Sequence, residues 1–454
     1  MQNAINVVTT GYQFNVGLKL TRFMYRMVSP LCGLNRAVGF ALHPGKGLGL
    51  YIVVAQLTGI HRLLGLDRPF SYHIGGYGLY PLEAFMRVFG ETCERYAHMV
   101  YPLTHRSEII FASYREMVRQ KFTVIRPEDL DFFTKDQYNR QLFPYEQFDI
   151  DRPLGWIKAL MLPHMKCTWL PAQTTLVGYL TRTEQGEPRI CTAVTTGSAA
   201  HTIPDKAIAS ALLELIQMDT AMGYWYSATP APELVLDQRT PIILHILEKQ
   251  VSIPRTIDVR FYYLRNPDLP GHVVACVLWN LRNEIPASCV GIACELDLEL
   301  AIYKAFIEAV AIPGLATVGL MQTPSILGYK FATDPMTIGD LDMNVVYYAL
   351  PANRHIMGQR FSHTSRCRAS ELPRYPINDA AESVHFLVDA FQKANKRLLA
   401  LDLTTPDVMD LGFYVFRMYS PDLLTLCLPS YPHNAHPRFK AYGGFKDGAP
   451  HPYP

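Results

Sequence analysis

The sequence lacks a surplus of charge of either sign. Its 454 residues include 42 Lys and Arg against 40 Asp and Glu, which leaves a formal net charge of +2. A chain so close to neutral has no electrostatic footprint for duplex nucleic acid, whose binding depends on neutralising many phosphates. Apolar residues make up 49% of the chain and charged residues 18%, which excludes disorder as the main state. The sequence predicts a folded protein of one to three domain-sized units.

Long hydrophobic runs and paired cysteines are also missing. The longest apolar stretch, 47–60, is too short for a helix that spans a bilayer, and residues 1–14 lack the basic-then-apolar layout of a secretory signal. Nine cysteines lie between Cys32 and Cys427 without a Cys-x-x-Cys pair, which indicates reduced thiols rather than a disulfide framework or a zinc site. These absences predict a soluble cytoplasmic protein that associates with neither membranes nor nucleic acid.

Strand-like and helical patterns alternate along the chain, which predicts a mixed α/β architecture. Turn signals at 266–268 and 270–271 indicate a hairpin between strands at Arg260–Leu264 and His272–Trp279. Two more strands are predicted, at Val345–Leu350 and Phe413–Tyr419. Helical periodicity is present in four segments, 83–98, 203–222, 298–312 and 380–398.

One weak domain boundary is predicted between residues 60 and 70, where an apolar N-terminal region meets Arg68–Pro69. It divides an N-terminal region, 1–65, from a larger domain, 66–454. We expect the N-terminal region to supply a contact with a second copy of the chain or with a partner, because its apolar residues need cover.

The first two helical patterns each place two oxygen-bearing side chains on a polar face. Successive residues advance about 100° around a helix, so Glu91 and Glu94 lie roughly 60° apart, opposite the stripe that faces the core. A solvated surface is the usual interpretation of such a pair alone. The second pattern repeats the arrangement with Glu214 and Gln217, of which Gln217 is a neutral oxygen ligand or a hydrogen-bonding amide.

The third helical pattern is apolar nearly all round, which predicts a buried helix. Its exceptions, Lys304 and Glu308, are four residues apart and therefore share a face inside the protein. Burying an ammonium and a carboxylate is unfavourable unless they pair or bind a charged group, so a structural ion pair and a functional site both stay open. Carboxylates from several helices can converge on Mg²⁺, which bridges them to nucleotide phosphates. The sequence has no Gly-x-x-x-x-Gly-Lys-Ser/Thr loop, and the glycine run at 75–78 is too weak for a dinucleotide fingerprint.

Four segments resemble the signatures of the YcaO family, in the family's order. The first, 90–96, reads Gly-Glu-Thr-Cys-Glu-Arg-Tyr and resembles the family's Gly-Glu-x-x-Glu-Arg-Tyr segment. The other segments are Thr195–Ala200 with the helix that follows through Glu214, Asp219 and Trp225; Ala301–Glu308; and Asp402–Thr404 followed by Gly412 and Arg417. The resemblance covers about residues 70–454. It implies a mixed α+β fold with helices packed on largely antiparallel or mixed sheets, and a nucleotide site between the helices.

The chain ends in Pro450-His451-Pro452-Tyr453-Pro454, a Pro-x-Pro-x-Pro sequence. By itself such a tail is typical of a stiff, disordered polyproline segment. In the YcaO cyclodehydratases that form azoline rings in peptides, a similar tail enters the active site. The resemblance therefore implies catalytic roles for Pro450, Pro452 and Pro454, with the terminal carboxylate of Pro454 as a general base.

Position by position, the resemblance also assigns metal-binding and nucleotide-binding residues. Glu91, Glu94 and Glu214 would bind Mg²⁺. The residues that would bind or orient ATP are Arg95, Thr195, Thr196, Glu214, Gln217, Lys304 and Glu308. The implied cofactors are ATP and Mg²⁺.

The activity that the resemblance implies is an ATP- and Mg²⁺-dependent cyclodehydration. Cys, Ser or Thr residues of a ribosomal precursor peptide become thiazolines or oxazolines through phosphorylation of the backbone amide oxygen. The implied partners are the precursor peptide, a protein that recognises its leader, an FMN-dependent dehydrogenase that oxidises azolines to azoles, and a second copy of the chain in a homodimer.

Several positions depart from the family pattern. Gln217 stands where a second Glu is usual, Met218 where Arg is frequent, Lys304 replaces Arg, and Lys206 falls where an acid is usual. Arg and Lys are not interchangeable at a bidentate phosphate contact, so these changes weaken metal or phosphate binding in principle. Two alternatives therefore stay open: a YcaO enzyme that installs a thioamide or an amidine, and a degenerate, nonenzymatic YcaO subunit that holds the peptide or a partner.

Overall fold

The computed structural model describes residues 24–42, 49–65, 73–227, 229, 231–322, 338–339, 341–361, 365–377, 379–446 and 448–454. The predicted boundary at Arg68–Pro69 lies outside these residues, so the division into 1–65 and 66–454 stays a prediction. The longest helices are α1 (Pro81–Thr104), α2 (Pro204–Ser227), α3 (Leu298–Gln322), α4 (Leu341–Ala349) and α5 (Ala380–Lys393). Shorter helices span Ile60–Leu63, Tyr114–Arg119, Lys135–Tyr138, Pro241–His245, Arg354–Arg360 and Pro406–Asp410.

The strands form three sheets. The first is antiparallel, in the order β1 (Asn35–Leu42), β2 (Tyr51–Leu57) and β3 (His73–Gly78). The second sheet is also antiparallel and has the order β4-β5-β13-β14-β7, with β6 beside β5. Its strands are β4 (Ile110–Ser113), β5 (Pro153–Leu162), β6 (Lys166–Pro171), β7 (Ser198–His201), β13 (Leu398–Asp402) and β14 (Tyr414–Tyr419). The third has the order β11-β10-β9-β8-β12, with only β12 and β8 parallel, and consists of β8 (Glu233–Val235), β9 (Ile257–Leu264), β10 (His272–Asn280), β11 (Ser288–Glu295) and β12 (Arg366–Arg368).

The mixed architecture predicted from the sequence is confirmed, as are most of its elements. The predicted hairpin is the antiparallel pair β9 and β10, in which Leu264 faces Val273 across the turn. The predicted strand at Phe413–Tyr419 corresponds to β14, and the first three helical patterns correspond to α1, α2 and α3, although the second begins one residue before α2. The fourth pattern ends too late, because the helix stops at Lys393 and β13 begins at Leu398. All nine cysteines are free thiols, as expected.

The predicted strand at Val345–Leu350 is wrong, because residues Leu341–Ala349 form α4. Val345, Val346, Tyr347 and Tyr348 are all buried, so the segment lacks the one-sided periodicity that marks a surface helix. Its β-branched and aromatic residues favour a strand by local propensity. Packing against α3 and β11 overrides that preference.

Packing of the three sheets brings the acid-bearing helices together. α1 lies across β2 and β3 and extends to β7, whereas α2 lies between the second sheet, at β7 and β14, and the third sheet, at β11. α3 covers β10 and β11 and also contacts β3. Each pair of these helices shares one strand: β7 for α1 and α2, β11 for α2 and α3, and β3 for α1 and α3. The three helices are therefore neighbours of one another.

One helix in the described part of the chain, α3 from Leu298 to Met321, is long and apolar enough by length and composition to cross a membrane. Its residues Ala301, Ile302 and Ile307 have no exposed surface. They belong to a hydrophobic cluster that includes side chains of β10 and β11. The part of α3 up to Val310 therefore packs as a core helix, apart from Leu300, whereas Val318 and Met321 near its end are exposed. The prediction of a buried helix is confirmed for that first part.

Gly291 in β11 sets the distance between the third sheet and α3. A Cβ atom at this position would lie 2.5 Å from the carbonyl oxygen of Ala305 and within 2.9 Å of the backbone of Glu308. We expect Gly291→Ala to lower the free energy of unfolding by about 1–3 kcal/mol, because the helix must move away. Gly314→Ala is the matched control, since a Cβ there meets nothing within 4 Å and a helical Gly-to-Ala change stabilises by roughly 0.5–1 kcal/mol. Chemical denaturation measures both, and an unaltered midpoint for Gly291→Ala would contradict the prediction.

Candidate functional site

Four glutamates from three helices form one acidic cluster. α1 contributes Glu91 and Glu94, α2 contributes Glu214, and α3 contributes Glu308. Burial, and then repulsion from Glu214 and Glu91, raise the pKa values of both Glu94 and Glu308. These four residues are called the acidic cluster below. Glu91 and Glu214 thus act on the ionisation of Glu94 and Glu308. Acids from three distant segments of the chain therefore lie close together.

A tight turn before β7 holds Glu214. Burial raises the pKa of Glu214 to about 7, although hydrogen bonds from the backbone N–H groups of Ser198 and Gly197 oppose the shift. Gly197 has a φ of +79°, and a Cβ atom there would lie 2.5 Å from the carbonyl oxygen of Met418. Only glycine fits this conformation and this space. The turn therefore presents two donors to one carboxylate.

Strand N–H groups hold two other members of the acidic cluster. Glu308 accepts a hydrogen bond from the N–H of Ile292 in β11, and burial raises the pKa of Glu308 to about 8. Glu91 accepts one from the N–H of Gly75 in β3, and burial raises the pKa of Glu91 above its usual value. A hydrogen bond from the backbone favours the charged form of a carboxylate, so it lowers the pKa that burial raises. They fix the direction in which the oxygen atoms point.

Two arginines face the acidic cluster. Arg95 donates to the hydroxyl of Thr195 and lies 3.4 Å from Glu91. Arg417 in β14 has no exposed surface. Burial lowers the pKa of its guanidinium to about 10, although the negative charges of Glu214 and Glu94 raise that pKa. Its Nη1 donates to Ser198 Oγ at 3.1 Å, but Nε and Nη2 have no hydrogen-bond partner among the residues described. Buried donors without partners are rare, and here they fit an oxygen-rich ligand.

The acidic cluster and its arginines fit a magnesium nucleotide. Buried carboxylates with raised pKa values repel one another, and a divalent cation relieves that repulsion. No group of three or more His, Cys, Asp or Glu side chains within the described ranges is close enough to hold a metal ion by itself. Mg²⁺ usually takes one or two carboxylates together with water and substrate phosphates rather than a cage of protein ligands. The site therefore has the donors that Mg²⁺ needs when phosphates complete its coordination.

Three more of the predicted nucleotide ligands make contacts within the protein. Gln217 Oε1 accepts the N–H of Cys294 at 2.9 Å, and Thr196 Oγ1 accepts the N–H of Leu426 at 3.2 Å. Lys304 forms an ion pair with Glu295 at the end of β11. The ion pair between Lys304 and Glu308 that the sequence left open is therefore replaced by two separate contacts, because Glu308 is held by the backbone of β11. Nucleotide contacts by Gln217, Thr196 and Lys304 stay predictions.

Tyr77 in β3 is a member of the site that sequence reasoning missed. Burial, followed by repulsion from Glu308 and Glu91, raises the pKa of its phenol well above the usual value. The side chain therefore lies beside two members of the acidic cluster. The glycine run at 75–78 is the sequence signal that could have indicated it, because this run forms the strand that borders the acidic cluster.

The C-terminal tail is docked in the protein. The indole N–H of Trp225 donates to the carbonyl oxygen of Ala449 at 2.9 Å, and the hydroxyl of Tyr348 donates to that of Pro450. Tyr453 has no exposed surface, and its pKa is raised by burial and then by the carboxylate of Glu308. The docked tail therefore lies close enough to α3 to interact with the acidic cluster. The catalytic roles of Pro450, Pro452 and Pro454 stay predictions.

The raised pKa values make stability depend on pH. Acids whose pKa values rise from the ordinary 4.5 to about 7 in Glu214 and about 8 in Glu308 bind more protons in the folded state. Their contribution to stability is therefore present below pH 4.5 and lost as the pH rises through 7 and 8. We expect the free energy of unfolding to fall by about 3 kcal/mol or more between pH 4.5 and 8, because a shift of one pKa unit corresponds to about 1.4 kcal/mol. The double variant Glu214→Gln with Glu308→Gln should lose the part of this dependence that these two acids contribute, and Mg²⁺ with an ATP analogue should reduce the dependence in the wild type. Thermal unfolding from pH 5 to 9 tests it, and identical curves for both proteins would contradict it.

Comparisons with known proteins agree with this fold. The family model described as "YcaO cyclodehydratase", ATP- and Mg²⁺-binding, matches residues 75–424. No curated protein matches the sequence. Among solved structures, a heterocyclase in complex with substrate and cofactor has a TM-score of 0.70 at 19% identity, over 96% of this chain and 57% of that one. This chain thus spans little more than half the length of that heterocyclase.

Two further structures cover most of both chains. YcaO from Methanopyrus kandleri, bound with AMPPCP and Mg²⁺, has a TM-score of 0.60 at 14% identity, over 90% of this chain and 89% of that one. A chain of the E. coli microcin synthetase McbBCD complex has a TM-score of 0.56 at 14% identity, over 91% and 96%. At these identities the structural likeness shows the fold. Because the family model matches well over half of the sequence, the chain belongs to the YcaO family, whose cofactors are ATP and Mg²⁺.

Proposed function

We propose that this chain is an ATP- and Mg²⁺-dependent cyclodehydratase that acts on a ribosomal precursor peptide. It converts Cys, Ser or Thr residues of the peptide to thiazolines or oxazolines. One observation carries the proposal: the Pro-x-Pro-x-Pro tail is docked against α2 and α4 through Trp225 and Tyr348, with Tyr453 within electrostatic range of Glu308 in the acidic cluster. Membership of the YcaO family and a fold shared with a heterocyclase support it.

Each part of the site has a role in this reaction. Glu91, Glu94 and Glu214 are the candidate ligands of Mg²⁺, which would take one or two of them together with phosphate oxygens and water. Arg95 and Arg417 would neutralise phosphate charge. When bound, ATP supplies the phosphoryl group that turns the amide oxygen, otherwise a very poor leaving group, into phosphate. The protein's tasks are then to hold the peptide carbonyl near the nucleotide and to move protons.

The tail supplies the proton acceptor. The terminal carboxylate of Pro454 accepts the proton released when a Cys, Ser or Thr side chain attacks the preceding carbonyl carbon. Proline fixes its own φ angle, so Pro450, Pro452 and Pro454 stiffen the segment that carries this carboxylate. The docked tail supports this role, because a stiff segment anchored in the protein holds an anion at a set distance from the acidic cluster.

The substrate and partners follow from the same proposal. The McbBCD relative has been solved with pro-MccB17 bound, and its name describes a multi-protein synthetase. By analogy, this chain acts with a protein that recognises the precursor's leader and with an FMN-dependent dehydrogenase that oxidises azolines to azoles. We also propose a homodimer and a cytoplasmic location, in keeping with nine free cysteines.

A nonenzymatic subunit that holds the peptide is a second candidate. Three positions where the chain departs from the family favour it, because none of them is free to bind a nucleotide. Gln217 accepts the N–H of Cys294, Lys304 pairs with Glu295, and Met218 is buried. In that case the protein would bind the precursor but release no ADP. A thioamide- or amidine-forming enzyme is less well supported, because the docked Pro-x-Pro-x-Pro tail matches the azoline-forming branch.

Reconstitution separates these functions. The purified protein is combined with the products of its neighbouring genes, a candidate precursor peptide and Mg·ATP, and the peptide is analysed by mass spectrometry. We expect the loss of one water for each ring, together with ADP release. Exchange of oxygen for sulfur would indicate a thioamide, and an unchanged peptide with no ADP released would contradict the cyclodehydratase and favour the nonenzymatic subunit.

A further inference from the structure

One buried amide in α4 holds the end of the tail. Asn344 has no exposed surface, and its Nδ2 donates to the carbonyl oxygens of Tyr453 at 2.7 Å and His451 at 2.9 Å. The other amide atom, Oδ1, has no hydrogen-bond partner in the described part of the chain. Both tail atoms are carbonyl oxygens that can only accept, so the amide must present its NH₂ group to them.

The ring of His451 supports the same arrangement. Its Nε2 lies 2.7 Å from the carbonyl oxygen of Cys427, so Nε2 carries the proton and donates it. Nδ1 is then an acceptor, and it faces Asn344 Nδ2 at 3.3 Å. Burial lowers the pKa of His451 to about 4, which keeps the ring neutral at pH 7. The ring anchors the tail at Cys427 and leaves an acceptor on the side of Asn344.

The chemistry of proline makes these contacts decisive. Pro450, Pro452 and Pro454 have no backbone N–H, so the protein can hold this part of the chain mainly through its carbonyl oxygens. Trp225 and Tyr348 hold it at residues 449 and 450, several residues before the terminus. The bond from Asn344 to Tyr453 is made one peptide unit from the terminal residue.

We propose that Asn344 is a positioning residue that acts through the tail and sets the place of the Pro454 carboxylate beside the acidic cluster. This inference rests on the proposed function, because it assumes that the carboxylate serves the reaction. The clamped end of the tail packs against Trp225, whose ring centroid lies 6.3 Å from that of Tyr453, and it lies within electrostatic range of Glu308. Without the two donors, the last residues lose their anchor while the nucleotide site stays complete.

Asn344→Leu tests the clamp, because leucine keeps the volume of the side chain and removes both donors. Asn344→Ala is a second variant that adds no branched side chain, in case the leucine disturbs folding. Asn353→Leu is the matched control: Asn353 is also buried and donates through Nδ2 at 2.9 Å, but to the carbonyl oxygen of Tyr347 in α4. A general loss of packing would affect all three variants alike.

The first measurement follows the tail without reference to activity. His451 is fully buried, so diethyl pyrocarbonate should modify it slowly in the wild type. Peptide mapping by mass spectrometry should show modification about tenfold faster in the Asn344 variants and unchanged in Asn353→Leu. Protection of His451 in both Asn344 variants would overturn the clamp, whatever the protein's reaction is.

The second measurement uses ring formation. At saturating Mg·ATP we expect kcat to fall by about 10–100-fold in the Asn344 variants, the size of effect that misplacement of a catalytic group produces, with an unchanged KM for ATP. The Asn353→Leu variant should keep both values. A released tail with undiminished kcat would overturn the positioning role, and a wild-type protein that forms no rings would refute the proposed function while the accessibility result still decides the clamp.

Discussion

Glu214→Gln should lower ATP-dependent ring formation by about 100-fold, the size of effect expected when one preorganised electrostatic group is lost. The substitution keeps the shape of the side chain and removes the charge that neutralises Mg²⁺. Glu91→Gln should act in the same direction, with weaker binding of Mg·ATP and slower turnover. ADP release and calorimetric titration with Mg²⁺ and an ATP analogue measure both effects.

The same substitution should not unfold the protein. Burial raises the pKa of Glu214 to about 7, so its ionised form destabilises the folded state at pH 8 in the absence of Mg²⁺. Glu214→Gln should therefore unfold at an equal or higher temperature than the wild type, which separates loss of function from loss of fold. Glu146→Gln is the control, because Glu146 is 52% exposed in a surface ion pair with Arg152 and such pairs contribute little. Unchanged ADP release in Glu214→Gln would show that the acidic cluster is not the nucleotide site.

Removal of the terminal charge should have an effect at least as large. A C-terminal amide in place of the Pro454 carboxylate, introduced by protein ligation, should slow ring formation by about 10²–10⁴-fold, the range for a general base. Deletion of Pro452–Pro454, or extension of the chain by one residue, should abolish ring formation. The protein ligated in the same way with a free carboxylate is the control.

Binding measurements distinguish a catalytic tail from a structural one. The amide variant keeps every tail contact through Tyr453, so its affinity for Mg·ATP and its thermal midpoint should match the control. The deletion also removes the buried Tyr453 ring from Trp225, so it should unfold at a lower temperature. Full activity of the amide variant would exclude the terminal carboxylate as the base.

Much of the site could be predicted from the sequence because its signals are local. The stripe that faces the core in α1 depends on residues three and four apart, and that spacing placed Glu91 and Glu94 on one face. The lack of polar residues around α3 predicted its burial, apart from Lys304 and Glu308. Matching motifs, rather than periodicity, indicated that these helices share a ligand.

Contacts between distant residues were not predictable in this way. Asn344 and Tyr453 are 109 positions apart, and no local pattern joins them. The engagement of Gln217 by Cys294 depends on the packing of α2 against β11, 77 positions later. The strand predicted at Val345–Leu350 failed for the same reason, since its burial on all sides as α4 overrides local preference.

The sequence by itself determined the class of fold, three acid-bearing helices, a hairpin, reduced thiols and a proline-rich end, because each depends on composition or on neighbours within one or two turns. Only the tertiary structure decided which backbone groups hold the acids of the site, which partners Lys304 and Gln217 take, and where the tail lies. These features depend on how three sheets pack against α1, α2 and α3. Packing is settled by the summed contacts of the whole core, which no short stretch of sequence contains.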